Sequence, residues 1–366
     1  MAGNSIGTLL RLTTFGESHG KLMGGVLDGL PAGITPDFDY VSHQLMRRAT
    51  AGSFYASQRK EPDEVEYVSG LFEGKTTGAP LAFLVRNHDQ HSADYDHLRD
   101  VFRPGHADVT YQMKYGIRDH RGGGRASARE TISWVVAGSL VGSWLRAQGI
   151  RITGFVSAIG DISMKEEPAQ VEAVDVLVSD VGCPDHDTSA MMIQRLHEVA
   201  DAGDTLGGVI TVLIDGVPPG LGDPVFDKFQ ADLGKACLNL NAVKGFEIGE
   251  GFRSASMLGS EYKDIFSGLD ANGRPLFQSN RAGGILGGIT TGQQIRFRVA
   301  FKPISSTRLP SPVIDAKGTT KQTAIAGRHD VCPVPRAVPI LESLASLVLA
   351  DHLLRQSVGG QLGVRN

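Results

Sequence analysis

Ile295-Arg296-Phe297-Arg298-Val299-Ala300-Phe301 puts Ile295, Phe297, Val299 and Phe301 on one side of an extended chain. Arg296, Arg298 and Ala300 fall on the other. Successive strand side chains point to opposite faces, so the alternation predicts a half-exposed strand of an antiparallel sheet. Working outward, residues 209–214 form a dense β-branched run before a Pro-Pro-Gly turn, and residues 8–15, 65–68 and 80–85 also read as strands. Helical patterns cover residues 39–49, 127–148, 188–202, 226–240 and 337–354. In 127–148, Ile132, Val135, Val136, Leu140 and Trp144 keep one face apolar and Gly149 closes the helix. In 188–202, Asp187 is the expected cap and Gly203 the stop. Residues 86–121 are rich in His, Asp and Arg with little apolar periodicity, which reads as a long functional loop.

These elements follow no regular β-α-β rhythm, and no Gly-x-Gly-x-x-Gly joins a strand to a helix. The expected class is therefore α+β with antiparallel sheets rather than a doubly wound nucleotide fold. With no linker of shifted composition and no internal repeat, one domain spanning residues 1–366 is expected. A net charge of −4 gives no global attraction to nucleic acid or to an acidic membrane. Three scattered cysteines form no Cys-x-x-Cys pair, which fits a reducing compartment and argues against a zinc knuckle. Residues 1–7 lack a basic region followed by a long apolar stretch, and no run approaches the ~18 apolar residues that span a bilayer. The cytoplasm is the expected location. The 46 glycines, roughly twice the average share, imply many tight turns and close backbone approaches.

The chemistry-bearing residues fall in glycine-rich loops. Arg121-Gly122-Gly123-Gly124-Arg125-Ala126-Ser127-Ala128-Arg129-Glu130 runs into a helix start, and Ser127 and Glu130 have capping-box spacing. Backbone N–H groups and the helix dipole there, with three flanking arginines, suit a phosphate or carboxylate; the alternative is a glycine hinge before a surface helix. Gly16-Glu17-Ser18-His19-Gly20 formally matches a serine nucleophile elbow, but no helix follows it and adjacent side chains point apart. Arg103-Pro104-Gly105-His106-Ala107-Asp108 and Gly327-Arg328-His329-Asp330 hold two further loop histidines. Three such clusters point to an acid–base site around an anion, against the plainer reading of solvated histidines. His88, Asp89, Gln90, His91, Asp94 and His97 match no metal-ligand spacing and read as an exposed polar loop. Residues 241–245 and 282–288 expose backbone, and Lys302-Pro303-Ile304-Ser305-Ser306 adds a cation and two hydroxyls. Together they suit a planar, polar, phosphorylated ligand lying against backbone.

These motifs, with Gln278-Ser279-Asn280-Arg281-Ala282-Gly283-Gly284 and Asp351-His352-Leu353-Leu354 in order, resemble the chorismate synthase family over nearly the whole chain. The resemblance implies a β-α-β sandwich, with long helices between antiparallel sheets, assembled as a homotetramer. It implies a trans-1,4-elimination that converts 5-enolpyruvylshikimate 3-phosphate to chorismate and phosphate, with reduced FMN and no net redox change. By the same resemblance His19 protonates the departing phosphate, and His106 protonates or stabilises the reduced flavin. Asp330 with Ser18 moves the proton collected at the flavin. FMN contacts would come from Arg125, Ala126, Ser127, Asn241, Ala242, Gly287, the loop Lys302, Pro303, Ile304, Ser305 and Ser306, and Arg328. Arg48, Arg129 and Arg336 are candidates for the substrate's phosphate and carboxylates, and no metal is implied.

One departure stands out. The family commonly carries a run of arginines, then Pro-Gly, then another arginine, where this chain has Met46-Arg47-Arg48-Ala49-Thr50-Ala51-Gly52-Ser53-Phe54. Ala49 and Phe54 replace expected cations, and removing a buried arginine from a phosphate weakens binding by roughly 1.5–3 kcal/mol. Either Arg47, Arg59 or Lys60 compensates, or the anionic pocket differs. That departure motivates an alternative, a paralogue acting on a related allylic phosphate; a flavin-binding protein without turnover is the third reading. No added dinucleotide-binding domain is visible, so an external flavin reductant is expected.

Overall fold

The computed structural model describes residues 3–49, 53–56, 63–87, 99–315, 318–323 and 330–359. Among them, one five-stranded sheet has the order Ser5–Ile6, Arg11–Gly16, Leu22–Asp28, Leu81–Arg86, Val65–Ser69, every neighbouring pair antiparallel. A second has the order Ile162–Ser163, Arg151–Ile159, Gly208–Asp215, Ile295–Phe301, Val243–Ile248, again antiparallel throughout. Ile295–Phe301 alternates strictly between buried and half-buried residues. On its half-buried face, Arg296 pairs with Glu167, and Arg298 with Glu247 at 2.7 Å.

Two long helices fill the space between the sheets. Thr131–Ala147 packs on Leu22–Asp28 of the first sheet and along Val334–Gly359, which in turn lies on Arg151–Ile159 and Gly208–Asp215 of the second. This is the β-α-β sandwich. The expected one-sided apolar stripes are too narrow a description of either helix: residues 131–142 and 337–352 are buried without a break. A helix covered on every side must be apolar all round. By length and composition Val334–Val358 could cross a bilayer, contrary to the expectation of no such run, but here it is a core element. The two helices cross closely: a Cβ on Gly138 would lie 2.4 Å from Ser343 Cβ, so nothing larger than glycine fits. Each Leu or Val sealed here, such as Leu140 and Leu344, contributes about 1.5–3 kcal/mol.

Other expectations need correction. The stretch read as a long loop contains the helix Asp108–Tyr115, in which only Asp108 is buried, so it left no apolar stripe to detect. Glu130 does not close a capping box on Ser127; Ser127 accepts the Arg129 N–H in a short 3-10 turn, and the Glu130 carboxylate turns to Arg125 and Thr14. Asp185, not Asp187, caps the helix His186–Asp201 by accepting the Thr188 N–H at 2.8 Å. The helix expected from residue 226 begins three residues later, as Phe229–Leu238. Val243 to Gly245, expected to be part of a turn, already belong to a strand.

Candidate active site

The triple-glycine turn is the point of convergence. Gly122, Gly123 and Gly124 all have left-handed backbone, at φ of +67°, +83° and +55°. A Cβ on Gly122 would sit 2.2 Å from His19 Cε1, and one on Gly123 would sit 3.4 Å from His106 Cε1 and 3.7 Å from Nε2. Two histidines 87 positions apart in sequence thus lie against adjacent glycines. The first occupies the turn after strand Arg11–Gly16, where Ser18 Oγ is 3.2 Å from His19 Nδ1 and donates to the Gly122 carbonyl at 3.3 Å. The two adjacent side chains therefore meet rather than point apart, but Ser18 is fully buried and gives its proton to the Gly122 carbonyl instead of to the ring, which argues against the hydrolase elbow.

His106 is oriented from behind. Its Nδ1 lies 2.9 Å from Asp108 Oδ1, and Arg103 donates to the same carboxylate from Nε at 2.7 Å and from Nη2 at 3.0 Å. Arg103 Nη2 also lies 3.0 Å from that imidazole nitrogen. One nitrogen cannot accept Arg103's proton while giving its own to Asp108, and the closer, charged carboxylate sets the tautomer. Burial opposes a charge on Asp108, yet hydrogen bonds from Arg103 and then His106 outweigh it and hold the carboxyl well below the usual range. The Nε2 edge of His106 therefore faces the glycines.

Around this centre, Ser305 donates to the Gly105 carbonyl at 2.7 Å, which docks the 302–306 loop beside His106. Lys302 Nζ donates to Ser305 Oγ at 2.7 Å, and the Lys302 N–H to the Ala242 carbonyl at 2.9 Å. Burial and then the neighbouring Lys244 lower the Lys302 ammonium pKa. Asn241 Nδ2 donates to the Ala126 carbonyl at 2.8 Å, so the 241–242 turn joins the same neighbourhood. The Thr205 hydroxyl donates to the Ile304 carbonyl at 2.8 Å, and Ser306 is buried behind the loop. Arg125, expected to contact cofactor, is committed to Glu130 through two 3.0 Å bonds and to Thr14 and Gly16, and so ties the glycine turn to the strand before His19. Gly287 lies in a hairpin held to residues 222–229, with nothing within 4 Å of where its Cβ would be. Nor does the turn expose all its backbone: the N–H groups of Ala126, Ser127 and Glu130 bond within it.

The three candidate substrate arginines do come together. Asp63 bridges Arg48 Nη2 and Arg129 Nη1, at 2.9 Å each, with all three side chains buried. Arg336 donates to the Arg48 carbonyl at 3.3 Å and pairs with Asp330 at 2.8 Å. Burial lowers the Arg48 pKa to about 10, and Arg336 and Arg129 push the same way against Asp63. The Arg48 Nε is buried with no hydrogen-bond partner among the described residues. Among the described residues, three guanidiniums thus face two carboxylates, an arrangement that suits an anion. Sequence reasoning missed Asp63, because nothing local marks it as a partner of arginines 15 and 66 positions away.

Arg47 does not compensate for the missing cations: it pairs with Glu342 at 2.6 Å, on the face of its helix turned to the core. Phe54 stacks flat on His197, ring centroids 3.8 Å apart. Arg59, Lys60, Arg328, His329 and the loop histidines His88, His91 and His97, with Asp89, Gln90 and Asp94, lie outside the described residues.

Residues 10–354 match the family model described as chorismate synthase. This chain belongs to the chorismate synthase family. It is 49% identical over 351 residues to a chorismate synthase of Bacteroides thetaiotaomicron, covering 96% of this chain and 98% of the relative. A chorismate synthase of Christiangramia forsetii is 49% identical over 355 residues, covering 97% and 98%. A solved structure entitled "Crystal Structure of Chorismate Synthase" superposes with a TM-score of 0.76 at 30% identity, covering 96% of this chain and 93% of the other. The α+β sandwich is that of the family. The chain is accordingly a carbon–oxygen lyase with the family's chorismate synthase function in the shikimate pathway.

Proposed function

We propose that this chain eliminates phosphate from 5-enolpyruvylshikimate 3-phosphate across the 1,4 positions to form chorismate, with reduced FMN at the glycine turn. The observation that carries the reading is the placement of His19 and His106 on consecutive glycines beside a buried arginine cluster. Gly122 and Gly123 leave a strip without Cβ atoms between two imidazoles, and Asn241, Ala242 and Lys302 border it, a donor set that fits a planar ring with a phosphate tail. Ala126, Ser127 and the 303–306 loop complete that surface; Arg125 serves it by holding the turn in place, and Gly287 and Arg328 remain expectations from the family pattern. When bound, reduced FMN supplies electron density to the breaking C–O bond and takes part in removing the C–H proton, without net redox change.

The remaining work belongs to side chains. Ser18 has one hydroxyl proton, given to the Gly122 carbonyl, so its oxygen accepts from His19 Nδ1–H, and it is the imidazolium form of His19 that carries the transferable proton on Nε2. His19 then protonates the phosphate as its C–O electrons leave with it. His106, with Nδ1–H held by Asp108, presents Nε2 to the ring site, an acceptor in the neutral ring and a proton donor in the imidazolium that the Asp108 carboxylate stands behind. Asp330, set by Arg336, with Ser18 disposes of the proton released from carbon. Arg48, Arg129 and Arg336 hold the phosphate and carboxylates and exclude water from them.

The same reading takes residues 1–366 as one domain, supported by a continuous buried core that runs through both sheets and the helices between them. It also takes the protein as a cytoplasmic homotetramer served by an external flavin reductant, without nucleic-acid or membrane partners. Exposed apolar side chains such as Phe252 and Phe266 support assembly. A related allylic phosphate is the second reading, favoured only by the Phe54–His197 stack where the family pattern has a cation; a panel of phosphorylated cyclohexenes separates the two.

The test is anaerobic: protein, dithionite-reduced FMN and 5-enolpyruvylshikimate 3-phosphate, with chorismate and phosphate followed together. Equal formation of both, strongly slowed but still measurable in His19→Ala and His106→Ala, is the expected result. FMN binding with neither product would leave a flavin-binding protein without turnover and overturn the reading.

A further inference from the structure

Asn87 ends the strand Leu81–Arg86 and is almost fully buried between the two halves of the site. Its Oδ1 accepts from Arg129 Nε at 3.1 Å. Its Nδ2 donates to the Glu17 carbonyl at 3.1 Å and to the Gly20 carbonyl at 2.9 Å. Glu17 and Gly20 bracket Ser18 and His19, so one amide holds both ends of the turn that carries the proposed acid. The amide's orientation is fixed by its neighbours, because Arg129 can only donate and the two carbonyls can only accept. Arg129 is in turn held by Asp63, which also holds Arg48. A continuous chain of hydrogen bonds therefore runs from the arginine cluster through Asn87 to the backbone on either side of His19.

We propose that Asn87 is a positioning residue that sets His19 in register with the arginines that grip the substrate's phosphate. No other residue type of this size offers an acceptor to a guanidinium and two donors to carbonyls at once. Aspartate keeps the shape and the bond to Arg129, but turns an acceptor oxygen towards two carbonyls. Loss of the register leaves phosphate bound while its proton donor is misplaced, so turnover suffers more than binding.

This inference rests on His19 being the proton donor, and the experiment separates the two claims. The holoprotein is assayed anaerobically as wild type, Asn87→Asp, His19→Ala and the double variant, with melting curves as the check on folding. The expected result is a kcat roughly ten- to a hundredfold lower in N87D with KM within about threefold. In the His19→Ala background the same change should cost less than about twofold, because two residues acting through one step are not additive. Equal losses in both backgrounds would show that Asn87 acts through the fold and would overturn the proposal, as would an unchanged kcat in N87D. Full activity in His19→Ala would instead overturn the assignment of the acid. If N87D does not fold, Asn87→Ser, which removes the amide without adding charge, enters the same cycle with the same expected and contrary outcomes.

Discussion

The two halves of the candidate site are built on different physics. The histidine half depends on missing atoms: Gly122 and Gly123 adopt positive φ and lack the Cβ that would meet His19 and His106. The arginine half depends on charge balance, with Arg48, Arg129 and Arg336 set against Asp63 and Asp330 in a buried cluster. A flat ring needs shape and a few donors, whereas phosphate and carboxylates need cations fixed in place and outnumbering the carboxylates that hold them. The first half tolerates no added volume at Gly122, and the second tolerates no change in charge.

The largest effect expected is at Gly122. An alanine there meets the His19 ring at 2.2 Å and must also hold a φ of +67°. Displacing the imidazole by about an ångström should lower kcat at least roughly a hundredfold, read by anaerobic turnover, while the protein still folds. In the other half, Asp63→Asn leaves two buried guanidiniums without their shared counter-charge. Removing one partner of a buried ion pair costs about 3–5 kcal/mol, which denaturant unfolding would register. Inorganic phosphate should stabilise that variant more than the wild type, because an anion then supplies the missing charge.

Acid titration sharpens the contrast from the histidine side. Asp108 has a depressed carboxyl pKa in the folded protein, where its bonds from Arg103 and His106 overcome burial. Its stabilising contribution is therefore present above the unfolded value near 3.9 and disappears as pH falls through the folded one. Unfolding free energy measured from pH 7 to pH 3 should fall less steeply in Asp108→Asn, by at most about 1.4 kcal/mol per pH unit. That variant should also be the less stable of the two at pH 7. The smallest effect is expected at Gly123, where an added Cβ comes only to ordinary van der Waals distance from His106, at 3.4 Å. Gly123→Ala should cost about 1–2 kcal/mol of stability for its φ of +83° and leave turnover within roughly threefold. If Gly122→Ala and Gly123→Ala behaved alike, close packing against His19 would not be the reason for glycine at 122.

The same contrast explains what is legible in the sequence. Ile295–Phe301 can be read from its alternation because one face is core and the other carries ion pairs. Leu22–Asp28 cannot, since Gly24 and Gly25 blank out its pattern where Phe15 and Phe83 press on the strand. Arg151–Ile159 is interrupted in the same way by Gly154, which makes room for Val338 and Glu342. The glycine half of the site is written as contiguous motifs, so His19, His106 and the triple glycine stand out. The arginine half is assembled in space, and Asp63 and Asn87 have no local signature to betray their partners. Arg125 is legible as a cation on its motif, but its bonds to Glu130, Thr14 and the Gly16 carbonyl are not.

The division of labour between the halves is tested most directly by equilibrium binding in crossed variants. Reduced FMN and 5-enolpyruvylshikimate 3-phosphate would be titrated separately and anaerobically into wild type, Arg48→Met and His106→Ala. Removing a buried guanidinium should weaken the phosphorylated substrate by about tenfold or more, with FMN affinity held within roughly twofold, and His106→Ala should do the reverse. Arg48→Met weakening FMN as much as the substrate, or leaving the substrate's affinity unchanged, would contradict it.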